Sequence, residues 1–70
     1  MYQRIRDLRE DHDFNQTQLA KKLCISQATY SRYENGKLDL PTEILIRLAR
    51  LYHTSTDYIL GLTDNPEPYK

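Results

Sequence analysis

A cluster of small and polar side chains at residues 27–32 has the chemistry to contact the edges of nucleic-acid bases. If this segment is helical, Gln27, Ala28, Ser31 and Arg32 share its outer face. A glutamine amide can pair with adenine, a guanidinium with guanine, and an alanine methyl can touch the thymine methyl. For these contacts, the segment must form a rigid helix, and this face of it must not pack against the rest of the protein.

Other chemistries find few residues to support them. The single cysteine, Cys24, excludes a disulfide within the chain, and with His12 and His53 it offers too few ligands for a structural zinc site. Nothing orients Ser31 with either histidine as a catalytic pair. We therefore expect no enzymatic activity, metal, cofactor or small-molecule ligand. Cys24 is interpreted as a small semi-buried residue, with redox sensing as the less favoured alternative.

Five helices are expected from the spacing of apolar residues and from the signals at helix ends. Helix 1 covers roughly residues 2–11 and is broken at His12-Asp13, helix 2 follows a capping box at Asn15 and Gln18, and helix 3 covers residues 26–35 and stops at Asn35-Gly36. Helix 4 begins with Pro41 in its first turn, and helix 5 runs from a Ser55 cap to Gly61. No alternating β pattern of useful length occurs, so the fold class is all-α.

We expect a tight turn between helices 2 and 3, with the apolar core beneath it. Ala20 suits a close contact between them, and the space beneath is filled by Leu19, Leu23, Ile25, Tyr30 and Tyr33. Helix 4 contributes an apolar stripe of Ile44, Leu45, Leu48, Ala49 and Leu51. Residues 1–62 form one domain in this interpretation, and residues 63–70 form a frayed or extended tail.

Charge and hydropathy restrict the class of protein further. The formal net charge is zero, but residues 1–37 carry a net charge of +2 and residues 38–70 one of −2. The weakly basic half is the one expected to face a polyanion. No apolar run exceeds three residues and no signal peptide is evident, so neither a membrane span nor export is expected. These features predict a cytoplasmic protein.

The run from Gln16 through Leu19-Ala20, Leu23, Ile25-Ser26-Gln27 and Tyr33-Glu34-Asn35-Gly36 resembles the Xre/Cro-type helix-turn-helix regulators, and the resemblance covers about residues 2–62. It implies a compact five-helix, lambda-repressor-like domain that binds double-stranded DNA, usually as a homodimer on a palindromic operator. The function it implies is transcriptional regulation, most often repression, with helix 3 in the major groove.

The resemblance also assigns roles by position. It implies base contacts by Gln16, Gln27, Ala28, Thr29 and Arg32, and contacts to the DNA backbone by Asn15, Asn35 and Lys37. We add Ser31 and the Tyr33 hydroxyl as phosphate contacts, the latter secondary to a core role of the ring. Arg9 and Glu34 occupy the positions of an ion pair that joins helix 1 to the end of helix 3.

Three departures from the family pattern affect these expectations. Cys24 replaces the usual turn glycine, so that the turn would be strained or reshaped. Tyr30 takes a core position that is more often aliphatic. Leu38, Asp39 and Leu40 stand where many members carry basic residues, and Asp39 would repel phosphate. Two alternatives therefore remain open: an antitoxin or phage-switch protein of the same fold, and a protein-interaction module that has lost DNA binding.

A homodimer is expected to form through the C-terminal helix. Tyr58, Ile59, Leu60 and Leu62 make an apolar cluster larger than one short helix requires. The alternative is that some of them cover helices 1 and 4. Pro66, Pro68 and Tyr69 of the tail could extend the surface.

Overall fold

The computed structural model describes residues 3–68, which form five helices and no strand. The helices are α1 (Gln3–Asp11), α2 (Gln16–Lys22), α3 (Gln27–Glu34), α4 (Thr42–Leu51) and α5 (Thr56–Leu60). The expected all-α fold is confirmed, and the helix boundaries agree with the sequence interpretation to within a residue or two. Tyr2 and Tyr69, which that interpretation used, lie outside the described residues.

The predicted caps account for most helix starts. Asn15 forms a complete capping box with Gln18, and the hydroxyls of Ser26 and Ser55 accept hydrogen bonds from the third residue beyond each. The position of Pro41 differs from the expectation, because it is the N-cap of α4 and not a residue of its first turn. It fixes the entry angle of the chain without offering a side-chain cap.

Several helices end on residues in the left-handed region of backbone conformation. Gly36 and Gly61 adopt φ of 73° and 79°, while three non-glycine residues, Asp13, Cys24 and His53, lie between 54° and 60°. The stop expected at Asn35-Gly36 is present, with Asn35 as the C-cap at φ −86° and Gly36 in the left-handed region. A non-glycine residue in this region is disfavoured, so three chain reversals carry local strain.

All five helices contribute side chains to one core. The buried apolar residues are Ile5, Leu19, Ala20, Leu23, Tyr30, Tyr33, Ile44, Leu48, Ala49, Tyr52 and Ile59. Leu45 and Ile25 pack at its margin. Leu51 was predicted to belong to the buried stripe of α4, but 37% of it is exposed, because the helix ends there and its side chain turns away from the core.

Residues 63–68 of the tail are attached to the domain by hydrogen bonds. Arg4 of α1 donates to the carbonyls of Tyr58 and Thr63 and to the Asp64 carboxylate, and its guanidinium lies 4.1 Å above the Tyr58 ring centre. The Thr54 hydroxyl donates to the carbonyl of Pro66. These bonds hold the chain after α5 against α1 and against the connection between α4 and α5.

Within residues 3–68, no helix combines the length and apolar character needed to cross a membrane.

Candidate nucleic-acid interface

The α2–α3 unit is held together by short contacts across a tight turn. Ala20 is buried, and its carbonyl accepts a 3.0 Å hydrogen bond from the amide of Ile25. Cys24 occupies the left-handed position of the turn at φ 60°, the strained conformation that its replacement of glycine predicts. The expectation that Cys24 is semi-buried was wrong, because its side chain at this outer corner of the turn is exposed. The small side chain at residue 20 permits the close approach of the two helices, and this fixes the orientation of α3.

Two glutamines are joined across the turn. Gln27 Nε2 donates to Gln16 Oε1 at 2.6 Å, which links the first residue of α2 to the first residue of α3. Gln27 is exposed and Gln16 half-buried. The bond holds the Gln27 amide in one orientation and leaves its own oxygen free to accept a hydrogen bond.

The outer face of α3 is exposed to solvent, as contact with a ligand requires. Ala28 and Arg32 are exposed, and the Arg32 guanidinium makes no hydrogen bond or ion pair with any described residue. Thr29 is half-buried and its Oγ1 accepts from Ser26 Oγ at 2.8 Å, which leaves the threonine proton available for donation. The face therefore presents donors and a methyl group together.

The expected phosphate contacts border this face at both ends of the unit. Asn15 is exposed, and its Oδ1 caps α2 while its Nδ2 stays free. At the other end, Asn35 Nδ2 donates to Ser31 Oγ at 3.2 Å, and Lys37 is exposed. Tyr33 is 92% buried, so only its outer edge could reach a phosphate.

Arg9 and Glu34 form a buried bidentate ion pair between α1 and α3. Arg9 Nε and Nη2 lie 2.7 and 3.2 Å from the two carboxylate oxygens, and Arg9 Nη1 donates to the carbonyl of Phe14. The side chains are only 13% and 3% exposed. The hydrogen bonds to Glu34 raise the pKa of Arg9, although burial acts in the opposite direction. The pair anchors the C-terminal end of α3 from behind.

Two buried tyrosines surround this pair. The hydroxyls of Tyr30 and Tyr52 have no hydrogen-bond partner within the described residues. Burial raises the pKa of both phenols, and the negative charge of Glu34 raises it further. Both stay neutral at any physiological pH, and they make the surroundings of the ion pair largely apolar.

The loop before α4 lacks cations apart from Lys37. Asp39 is exposed, and so is 43% of Leu38, whereas Leu40 packs against the core. A carboxylate near a DNA backbone opposes association, so this loop is not a favourable surface for a polyanion.

The expected dimer cluster is divided by the fold. Ile59 is 1% exposed and belongs to the core, so its assignment to an interface was wrong: it faces α1 and α4, which α5 must cover. Tyr58 is half-buried beneath Arg4, and Leu60 is half-buried. Leu62 is 73% exposed and is the most accessible large apolar side chain of the described chain.

Sequence reasoning missed two arginines that position the site. Arg47 of α4 donates to the Leu23 carbonyl at 3.0 Å and so supports the turn from outside, and Arg4 secures the tail. The i,i+4 spacing of Glu43 and Arg47 signals a helix-surface pair. It contains no information on the carbonyl, which is 24 residues away in the chain.

A seven-residue helix, a tight turn and a second helix with an open polar face define a helix-turn-helix protein. Residues 5–59 match the family model described as helix-turn-helix, and the chain belongs to this family, in its Xre type. It is a family of DNA-binding regulators and not of enzymes, which confirms the expectation that the chain has no catalytic role.

Similar proteins carry regulator names. The chain is 48% identical over 66 residues to the uncharacterised HTH-type transcriptional regulator YobD of Bacillus subtilis, covering 94% of this chain and 59% of that protein. It is 38% identical over 58 residues to the HTH-type transcriptional regulator ImmR of the same species (83% and 46% covered). It is 35% identical over 57 residues to the antitoxin PezA of Streptococcus pneumoniae (81% and 36% covered). The chain thus spans about half the length of these relatives, and no solved structure matches it.

Proposed function

We propose that this chain is a sequence-specific DNA-binding unit of a transcriptional repressor, with α3 in the major groove. The observation that carries the proposal is the Gln16–Gln27 hydrogen bond beside the unpaired Arg32. The bond fixes one amide and leaves one guanidinium free on the same outer surface. A fixed amide and a free guanidinium are the side-chain groups that distinguish adenine and guanine in the major groove.

The test is a selection of bound duplexes from a random pool, followed by fluorescence titration of the best site. Arg32→Ala should weaken binding by ~1–3 kcal/mol and relax the preference at one base pair. Arg6→Ala is the matched control, because Arg6 is an exposed arginine paired with Glu10 on α1. An equal effect of both substitutions would show that Arg32 contributes only charge.

We further propose that the DNA-bound unit is a homodimer that meets through Leu62 and Leu60, with Tyr58 at the edge. One domain reads too few base pairs to select a site in a genome, and two-fold pairing doubles the site. Half-sites would then lie ~34–36 Å apart. Leu62→Asp should lower the cooperativity of binding to a palindrome, measured by light scattering and gel shift. A strict one-to-one complex with the palindrome at every ratio would refute the dimer.

An antitoxin is the second candidate, supported by the similarity to PezA. In that case the same surface binds DNA, and a protein partner binds at a different surface. A module without DNA binding is the remaining alternative, favoured by zero net charge and by Asp39. A gel-shift experiment distinguishes the antitoxin from the interaction module, because the antitoxin retards a selected duplex and the interaction module retards none.

A further inference from the structure

A groove lies at the end of α2 away from Gln16. It is lined by Lys22, Leu23, Cys24, Arg47, Arg50 and Leu51, and its volume is about 490 Å³. Lys22 is six residues beyond Gln16, so the groove begins roughly 9 Å along the helix axis from the glutamine pair. The basic groove, as we call it, therefore lies outside the surface proposed to contact bases.

The charge of the basic groove is largely uncompensated. Its described lining contains three cations and no carboxylate. Arg47 is engaged, because it pairs with Glu43 at 2.7 Å and donates to the Leu23 carbonyl. Arg50 makes no hydrogen bond or ion pair with any described residue, and the contact of Lys22 is with the Phe14 ring at 5.2 Å.

The position of these cations at the C-terminal ends of helices accounts for their positive charge, but not for the absence of a hydrogen-bond partner on Arg50. Lys22 and Arg50 lie in the last turns of α2 and α4, where a cation interacts favourably with the helix dipole. That interaction requires only the charge. It leaves the hydrogen-bond donors of the Arg50 guanidinium unused, and these donors match a carboxylate in a bidentate geometry.

Apolar side chains stand beside the cations on α4. Leu51 and Ile46 are 37% and 40% exposed. Arg47 and Leu51 are four residues apart and are neighbours on the part of α4 that lines the groove, whereas Ile46, four residues before Arg50, lies outside the lining. This part of α4 thus combines unpaired positive charge with exposed hydrocarbon, which a solvated helix surface does not require.

We propose that the basic groove binds an acidic peptide segment of a partner protein that carries a leucine or phenylalanine next to its carboxylates. Charge complementarity selects the acidic groups, and the exposed Leu51 in the lining selects the apolar one. The groove is open to solvent, and a small molecule there would leave much of its surface in water, whereas binding sites for small ligands bury most of them. A phosphate backbone would gain nothing from the leucine. This proposal goes beyond the DNA-binding function, since it gives the domain a second, independent surface.

The experiment uses a synthetic fluorescein-labelled peptide of alternating Glu-Asp pairs and leucines, with the full chain at physiological salt. A control peptide has serine in place of leucine. Saturable anisotropy binding of the leucine peptide, at least fivefold tighter than that of the serine peptide, is the expected result. Absence of saturable binding, or equal binding of both peptides, would overturn the proposal.

Two charge-reversal variants locate the binding. Arg50→Glu should lower the affinity for the leucine peptide at least tenfold more than Arg6→Glu, which makes the same charge change on α1. Both variants should bind duplex DNA equally. Equal loss of peptide binding in both would mean that only net charge matters, and a selective loss of DNA binding in Arg50→Glu would make the groove a phosphate contact; either result refutes the peptide site.

The exposed thiol of Cys24 gives a readout that needs no variant. It is the one cysteine of the chain and lines the groove. Saturating leucine peptide should slow its alkylation by iodoacetamide severalfold, while the serine peptide should not. An unchanged rate at saturation would show that the peptide binds elsewhere.

Discussion

Glu34→Leu is expected to be among the most destabilising single substitutions in the chain. The Glu34 side chain is 3% exposed and accepts two of the three guanidinium hydrogen bonds of Arg9. Its loss leaves the largely buried Arg9 with only the more distant carboxylate of Glu10, at 4.0 Å, as a counter-charge. Breaking a buried pair in this way costs about 3–5 kcal/mol. A domain of this size has roughly 3.5–10 kcal/mol of total stability, so the variant should be close to unfolding at 25 °C.

Urea denaturation followed by circular dichroism measures this loss. With a slope of about 1 kcal/mol per molar urea, the midpoint should fall by roughly 3–5 M. Glu43→Leu is the matched control, because Glu43 pairs with Arg47 at the same 2.7 Å distance but is 75% exposed. Its loss should cost at most ~1 kcal/mol.

The double variant Arg9→Met, Glu34→Leu separates the pair from its surroundings. Replacing both charges with apolar groups removes the unpaired charge, so most of the lost stability should return. The coupling energy from the complete cycle should reach ~2 kcal/mol or more. If Glu34→Leu costs no more than Glu43→Leu, burial does not govern the strength of this pair and the reasoning fails.

Three further substitutions test other features. Asp39→Arg should tighten binding to every duplex and steepen the dependence of log affinity on log salt by roughly one to two phosphate equivalents, whereas a gain on one sequence alone would mean a base contact. Cys24→Gly should raise the free energy of unfolding by up to ~1 kcal/mol, because it relieves the residue at φ 60°; a decrease would show that the thiol contributes to packing. Tyr30→Phe should leave stability unchanged or slightly raised, since it removes a buried hydroxyl that has no partner, and a loss of more than ~1 kcal/mol in thermal denaturation would reveal a hydrogen bond there.

The helices could be predicted because their signals are local. The capping box at Asn15, the hydroxyl caps and the stops at Gly36 and Gly61 depend on neighbours within four residues. Burial at the margins was harder to predict. Leu51 fits the apolar period of α4 but is 37% exposed. It is the last residue of the helix, where the spacing of apolar residues no longer predicts burial. Ile59 is buried, because α5 has few other side chains with which to cover α1 and α4.

The individual residues of the candidate interface could also be proposed in advance, through the family resemblance. Their connections could not, because they depend on tertiary distances. The bond between Gln16 and Gln27 joins residues 11 apart, and that between Arg47 and Leu23 joins residues 24 apart. No periodicity in the sequence encodes either one.

The attachment of the tail by Arg4 bears on the order in which the chain assembles and opens. The contact from Arg4 to Tyr58 closes a loop of 54 residues, whereas Gln16 and Gln27 close one of 11. The longer closure costs about 1.4 kcal/mol more in chain entropy. The α1–α5 contact should therefore form after the α2–α3 unit and open before it, so amide hydrogens of α5 exchange with solvent while those of α2 and α3 remain protected. The chain can thus loosen at its two ends without disturbing the helices that are proposed to contact DNA.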